Sequence, residues 1–227
     1  HYPGEGKVIL YGNTLEKLEK EFQRKRIRPA RVYFSPSTDI FQPIPELLKL
    51  VYDIFDFLLA QGVGIAFVSK GVIPPEHRAL LAAHPEKVRA QIGLITLDPD
   101  IIQIFEPRCA AGAVRLRQME QLIQAGIETE ARLDPILPGV TDDTEMLHTL
   151  FRALSPLGVR HIALNLLYLR PRLFEVLREK IVDKCLRDRL LRRYDAGKRI
   201  SLCNGRFSQI ALPREERREI LEKVARL

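Results

Sequence analysis

PELLKLVYDIFDFLLAQGVGIAFVSK, residues 45–70, sets an amphipathic helical stretch directly before a short apolar run. Pro45–Ala60 reads as a helix ended by Gly62. Ile65-Ala66-Phe67-Val68 reads as a strand, and Ser69-Lys70 as the polar residues at its C-terminal end. The same alternation extends both ways. Upstream, Val8–Tyr11 is a short extended piece. Asn13 opens a helix, with Glu16 three residues on as in a capping box, that runs to about Lys25, and Arg31–Phe34 is a strand. Downstream come helix Pro75–Ala83, strand Arg89–Ile95, helix Ala113–Ala125 closed by Gly126, and strand Glu128–Leu133. A helix opened by Asp142 with Glu145 follows. Then come strand His161–Leu167, a long basic helix from Pro171 to about Arg193, a short strand near Ile200 and a last helix, Pro213–Leu227.

Alternating strands and helices are the pattern of a parallel sheet wrapped by helices. Right-handed crossovers curl such a sheet in one sense, so the expected fold class is α/β, a partial (β/α)6 TIM-like barrel. An open doubly wound sheet ranks second, because the chain lacks a Gly-rich phosphate loop. The expected division is a barrel core over residues 1–193 and a C-terminal extension over 194–227, whose terminal helix packs on the barrel.

The 227 residues carry 46% apolar and 29% charged side chains, the composition of a soluble globular protein. The longest apolar stretch, Leu47–Ala60, is broken by Lys49, Asp53 and Asp56, so no membrane span is expected. His1-Tyr2-Pro3-Gly4 has neither the basic nor the apolar region of a signal peptide. Cys109, Cys185 and Cys203 are odd in number and far apart, which excludes a disulfide framework or a zinc site built from this sequence alone. A reducing cytoplasm is the expected compartment. The net charge of +7 and pI of 9.4 suit a polyanionic partner. The densest basic runs, Lys25–Arg28 and Arg187–Arg199, each also read as solvated surface.

In a (β/α) barrel, chemistry sits at the C-terminal strand ends. Those ends here deliver Ser35–Asp39, then Ser69-Lys70, Thr96-Leu97-Asp98, Asp134, and Asn165 with Tyr168 and Arg170. Asp98 and Asp142 read as helix caps. Lys70 does no capping, and a lysine there can neutralise a carboxylate or phosphate. No histidine pair, Gly-x-Ser-x-Gly elbow or Walker loop is present.

Six short segments occur together in order and spacing: Pro36–Ile40, Phe67–Lys70, Thr96–Asp98, Phe105-Glu106-Pro107, Arg115-Leu116 with Ala125-Gly126, and Asp134–Ile136. With Phe207–Ile210 before the last helix, they resemble the spore photoproduct lyase-like branch of the radical S-adenosylmethionine (radical SAM) superfamily and its uncharacterised relatives. The resemblance implies a partial barrel holding a 4Fe-4S cluster and S-adenosylmethionine, whose reductive cleavage gives a 5′-deoxyadenosyl radical that abstracts hydrogen from the substrate. It also implies an electron donor such as a flavodoxin or ferredoxin, and a nucleic-acid substrate would suit the basic surface. Carried over by position, Lys70 and Thr96 match S-adenosylmethionine contacts, and Ser37 and Thr38 match the strand-end segment lining that site.

Two departures stand out. The family's C-x3-C-x2-C cluster motif is absent, so no metal ligand is expected in this sequence. The first strand and cluster loop are expected upstream of residue 1, without which the segment is inactive. The hydrogen-donating cysteine of spore photoproduct lyases falls at Pro36, which puts repair of the spore lesion itself in doubt. The rival readings are a cluster-free basic binding module on the same barrel and an aldolase-like lyase using Lys70 as a Schiff-base nucleophile.

Overall fold

The computed structural model describes residues 7–24, 27–35, 37–202 and 207–227. In chain order the elements are α1 (Thr14–Arg24), β1 (Arg31–Phe34), α2 (Pro45–Ala60), β2 (Gly64–Ser69), α3 (Pro75–Ala82), β3 (Val88–Gly93), α4 (Pro99–Phe105) and α5 (Gly112–Gln124). They continue with β4 (Glu128–Ile136), α6 (Thr144–Leu154), β5 (Ile162–Leu166), α7 (Pro171–Lys180), α8 (Lys184–Leu191), β6 (Lys198–Leu202), β7 (Phe207–Ala211) and α9 (Arg214–Arg226).

Strands β1 to β5 form one parallel sheet in strict sequential order. A doubly wound sheet reverses its order at a switch point and carries helices on both faces. Here the order never reverses, and one face is covered. Ile65 and Phe67 of β2, Ala90 and Ile92 of β3, and Ala131 and Leu133 of β4 join Val51, Phe55 and Leu59 of α2, Leu81 of α3, and Met119 and Leu122 of α5 in a single core. Phe55 is fully buried, and burying such a side chain is worth about 1.5–3 kcal/mol. Helix α1 packs separately on α2, with Leu15, Leu18 and Phe22 against Ile54, Leu58 and Val63.

The opposite, inner face is polar. Along β4, Thr129, Ala131 and Leu133 are buried, while the alternating Glu128, Glu130, Arg132 and Asp134 are exposed or half-buried. Arg89 and Gln91 continue this face on β3, and Arg31 and Tyr33 on β1. Five parallel strands, one helix-covered face and one wet face make the partial barrel expected from the sequence.

Several boundaries differ. The long basic helix from Pro171 is two helices, because Ile181 leaves the helical path to bury itself in the core and Asp183 caps a new start. The Asp183 carboxylate accepts from the backbone N–H groups of Cys185 (2.7 Å) and Leu186 (3.1 Å). Helix α6 is capped by Asp143, which accepts from the Met146 N–H, rather than by Asp142, which takes the N–H of Gly139 in the preceding turn. Helix α4 was not expected, although its cap was: Asp98 accepts from the N–H groups of Asp100 and Ile101. The strand near Ile200 is half of an antiparallel hairpin, β6–β7, joined to the chain beyond β5 by a bridge between Leu169 and Ile210. Lys25, Pro36 and Cys203 lie outside the described residues. Among those described, no helix is long and apolar enough to cross a membrane.

Candidate functional site

The first two strand ends are tied together by Asp39. Ser35 takes a left-handed φ of 65° just beyond β1, and its hydroxyl accepts the Ile40 N–H at 3.1 Å. The turn brings the Asp39 carboxylate against the end of β2. There it accepts from Lys70 N (2.7 Å), Gly71 N (3.1 Å) and Ser69 Oγ (3.0 Å), and from Phe41 N (2.9 Å) on its own loop. Gly71 permits this approach, since a Cβ there would meet the Phe41 carbonyl at 3.0 Å. From α5, Gln118 completes the loop by accepting from Ile73 N and donating to the Gly71 carbonyl. Ser37 and Thr38 are exposed on the same loop.

Lys70 leaves this clamp and crosses β3 above Gly93, where any Cβ would collide with the lysine stem at 2.6–2.7 Å. Its ammonium donates to the Asp134 carbonyl at 3.0 Å and lies 2.7 Å from Glu106 Oε1. That second contact is an ion pair without the alignment of a hydrogen bond, and Oε1 is itself buried. The other Glu106 oxygen sits 2.6 Å from Arg115 Nη1. Arg115 is completely buried, and the same nitrogen donates to the Gly93 carbonyl at 2.9 Å. Its Nε and Nη2 have no partner among the described residues. One carboxylate thus stands between a buried guanidinium and an ammonium whose side chain is 27% exposed.

The segment after α4 folds over this group, with Ala110 N donating to the Lys70 carbonyl and Cys109 N to that of Glu106. Burial, and then the Glu106 carboxylate, push the Cys109 thiol above its ordinary pKa, outweighing the opposing pull of Arg115 and Lys70. Thr96 is buried in the loop after β3, and its hydroxyl accepts from Asp98 N at 3.1 Å.

A second array runs across the inner face. Gln91 Oε1 accepts from Arg132 Nη1 (2.8 Å) and from Tyr33 Oη (3.4 Å), while Gln91 Nε2 donates to Glu130 (2.7 Å). Arg132 also holds the Asp134 carboxylate through Nε (3.0 Å) and Nη2 (2.6 Å).

Of the residues singled out from the sequence, Ser37, Thr38, Lys70 and Thr96 all follow C-terminal strand ends of the one sheet. Lys70 is at the centre of the charged group, and Thr96 is tied into its own turn. Asp39, Glu106 and Arg115 stood in the quoted segments without an assigned role, yet they hold Lys70 in place. Arg115 is a helical arginine whose burial nothing in its local sequence marks. Its partner lies nine residues away across a loop, a pairing no periodicity reports. Among the described residues, no group of three His, Cys, Asp or Glu side chains could hold a metal ion.

No family model matches the chain. An uncharacterised protein of Mycobacterium tuberculosis is 25% identical over 165 residues, which is 72% of this chain and 48% of that protein. The radical SAM Nα-GlyT isomerase of Pseudomonas phage M6 is 26% identical over 161 residues, covering 71% of this chain and 33% of the isomerase. The chain therefore spans half or less of the length of these relatives. Among solved structures, a spore photoproduct lyase variant superposes with a TM-score of 0.69 at 16% identity, over 94% of this chain and 62% of the lyase. Another, with bound AdoMet and dinucleoside spore photoproduct, gives 0.67 at 16% identity, over 93% and 61%. The chain is thus similar in sequence to a radical SAM isomerase and in fold to spore photoproduct lyase.

Proposed function

We propose that this chain is the core of a radical SAM enzyme that binds S-adenosylmethionine at the Lys70 end of the sheet and acts on a nucleic-acid substrate. The observation that carries the reading is the Lys70–Glu106–Arg115 group. An ammonium has three protons to donate. One goes to the Asp134 carbonyl and one faces Glu106, which leaves the third for a ligand carboxylate on the exposed side. Glu106 Oε1 is itself buried, so it holds the Lys70 ammonium in place rather than meeting a ligand. The carboxylate of an amino-acid moiety suits this ammonium, and S-adenosylmethionine has one. The Ser37 and Thr38 hydroxyls offer further donors and acceptors on the adjacent loop. Thr96 would contribute through the turn that its hydroxyl shapes.

The cluster is a different case. The described residues offer it no ligand set, so we assign its cysteines, as C-x3-C-x2-C, to residues outside this sequence. Together with a reduced 4Fe-4S cluster, S-adenosylmethionine supplies a 5′-deoxyadenosyl radical for hydrogen abstraction. A flavodoxin or ferredoxin is the fitting electron donor. The residues here bind and orient: Asp39 fixes the backbone of Lys70, Glu106 fixes its ammonium, and the inner face from Tyr33 to Asp134 presents hydrogen-bonding groups towards the substrate side. The nucleic-acid reading draws support from the dinucleoside bound by the lyase neighbour and from this chain's basic charge. A Schiff-base role for Lys70 is disfavoured, because an ion-paired ammonium has no lone pair to offer.

The test uses the complete gene product, purified and reconstituted with iron and sulfide without oxygen. Dithionite and S-adenosylmethionine should release 5′-deoxyadenosine, detected by mass spectrometry, and Lys70→Ala should abolish it. Calorimetry on the cluster-free protein should show weaker S-adenosylmethionine binding in the same variant. Failure to take up a cluster, with no 5′-deoxyadenosine, would leave the cluster-free basic binding module as the better account.

A further inference from the structure

Charge is segregated along this chain. Residues 160–227 hold 18 of the 36 Lys and Arg but only 9 of the 29 Asp and Glu, a net +9, whereas residues 1–159 come to −2. This basic portion includes the edge strand of the parallel sheet, β5, and helix α9, and between them lies a cavity of about 430 Å³. Its lining combines Asn165 and Tyr168 with Arg214, Arg217, Arg218 and one carboxylate, Glu222, beside apolar residues that include Leu221. Among the described residues, Arg214 and Arg217 have no carboxylate within ion-pair distance, and Arg218 approaches only Glu222, at 3.7 Å. Several other arginines of this portion are ion-paired. Arg178 pairs with Glu175 at 2.8 Å, Arg192 with Asp188 at 3.1 Å, and Arg193 with Glu216.

Asn165 is exposed on β5 and Tyr168 follows its C-terminal end, so the cavity opens at the same end of the parallel sheet as Lys70. Unpaired guanidinium groups are suited to phosphate oxygens, which they can grip bidentately. A half-buried tyrosine offers a face on which a base can stack, and an exposed amide offers a donor and an acceptor for a base edge. An acidic peptide would satisfy the arginines but brings no planar base to lie against the tyrosine.

We infer that the groove between β5 and α9 binds single-stranded nucleic acid, with Arg214, Arg217 and Arg218 on consecutive phosphates and Tyr168 against a base. The inference deepens the reading proposed above and rests on it for the link to catalysis. Binding itself is tested separately.

The test is fluorescence anisotropy of a labelled 12-nucleotide single-stranded DNA with the complete gene product. Binding should weaken with salt. R214Q/R217Q should lower affinity about tenfold and reduce the slope of log K against log salt by about 1.4, at about 0.7 per lost single-strand phosphate contact. Tyr168→Ala should cost about fivefold or more through lost stacking. R178Q/R192Q removes the same two charges from α7 and from the turn just after α8, and should leave affinity within about twofold. The inference is overturned if R214Q/R217Q binds like the wild type, if R178Q/R192Q loses as much, or if polyglutamate of equal charge competes as well as unlabelled DNA. Salt-sensitive binding through this groove without 5′-deoxyadenosine release would support the groove and sink the radical reading. 5′-Deoxyadenosine release with no oligonucleotide binding would do the reverse.

Discussion

Replacing Glu106 by glutamine keeps the shape of the side chain and removes the one negative charge between Arg115 and Lys70. Arg115 is fully buried with two of its nitrogens already unpartnered, so the variant strands a guanidinium in the core beside a second cation. Breaking a buried pair in this way costs about 3–5 kcal/mol. For a domain of this size, about 2–4 °C in Tm accompanies each kcal/mol, so Glu106→Gln should lower Tm by roughly 6–20 °C. Arg115→Met should cost less, because it leaves Glu106 paired with Lys70 and removes the two orphaned N–H groups. The double variant should then be about 1–3 kcal/mol more stable than the sum of the single losses. Urea unfolding followed by far-UV circular dichroism measures all three. A Glu106→Gln loss below about 1 kcal/mol, or additivity within about 0.5 kcal/mol, would refute the claim that a buried charge network holds Lys70.

Asp39→Ala removes the acceptor for three backbone N–H groups and the Ser69 hydroxyl, and should cost about 2–3 kcal/mol in the same assay, with Asp39→Asn between it and the wild type. Gly93→Ala forces the Lys70 stem aside, so S-adenosylmethionine affinity by calorimetry should fall while stability drops by only about 1–3 kcal/mol. Because the Cys109 thiol stays protonated above the ordinary thiol range, its alkylation should accelerate at higher pH than that of a free-thiol standard, read by peptide mass spectrometry. The unfolded chain loses that proton first, so this residue lowers stability as pH rises through the ordinary thiol range, and Cys109→Ser should remove that dependence.

The layers of the fold were readable because each rests on local chemistry. Pro45–Ala60 and Arg31–Phe34 were bounded correctly by proline, glycine and apolar runs. The break at Ile181 was not readable, because basic helix-forming residues on both sides hid the fact that tertiary packing claims Ile181. Asp142 and Asp143 are adjacent carboxylates, and only the path of the Gly139 turn decides which one caps α6. At the site, Lys70 was visible as a lysine ending an apolar strand. Glu106 and Arg115 come from α4, its following loop and α5, and only the folded chain brings them under that lysine. The polar inner face is written in the alternation of Glu128, Glu130, Arg132 and Asp134 with Thr129, Ala131 and Leu133.

That alternation also guards the assembly of the sheet. Were β4 to slide by one residue against its neighbours, Glu128, Glu130, Arg132 and Asp134 would all turn into the helix-covered core, and Thr129, Ala131 and Leu133 would face water. Each unpaired charge driven inside costs several kcal/mol, so the misaligned sheet would be worse by more than the whole stability of a typical domain. The side chains that make the inner face a place to bind are therefore also an error check on how the strands join, and a variant that made them apolar would lose fidelity of folding along with the site.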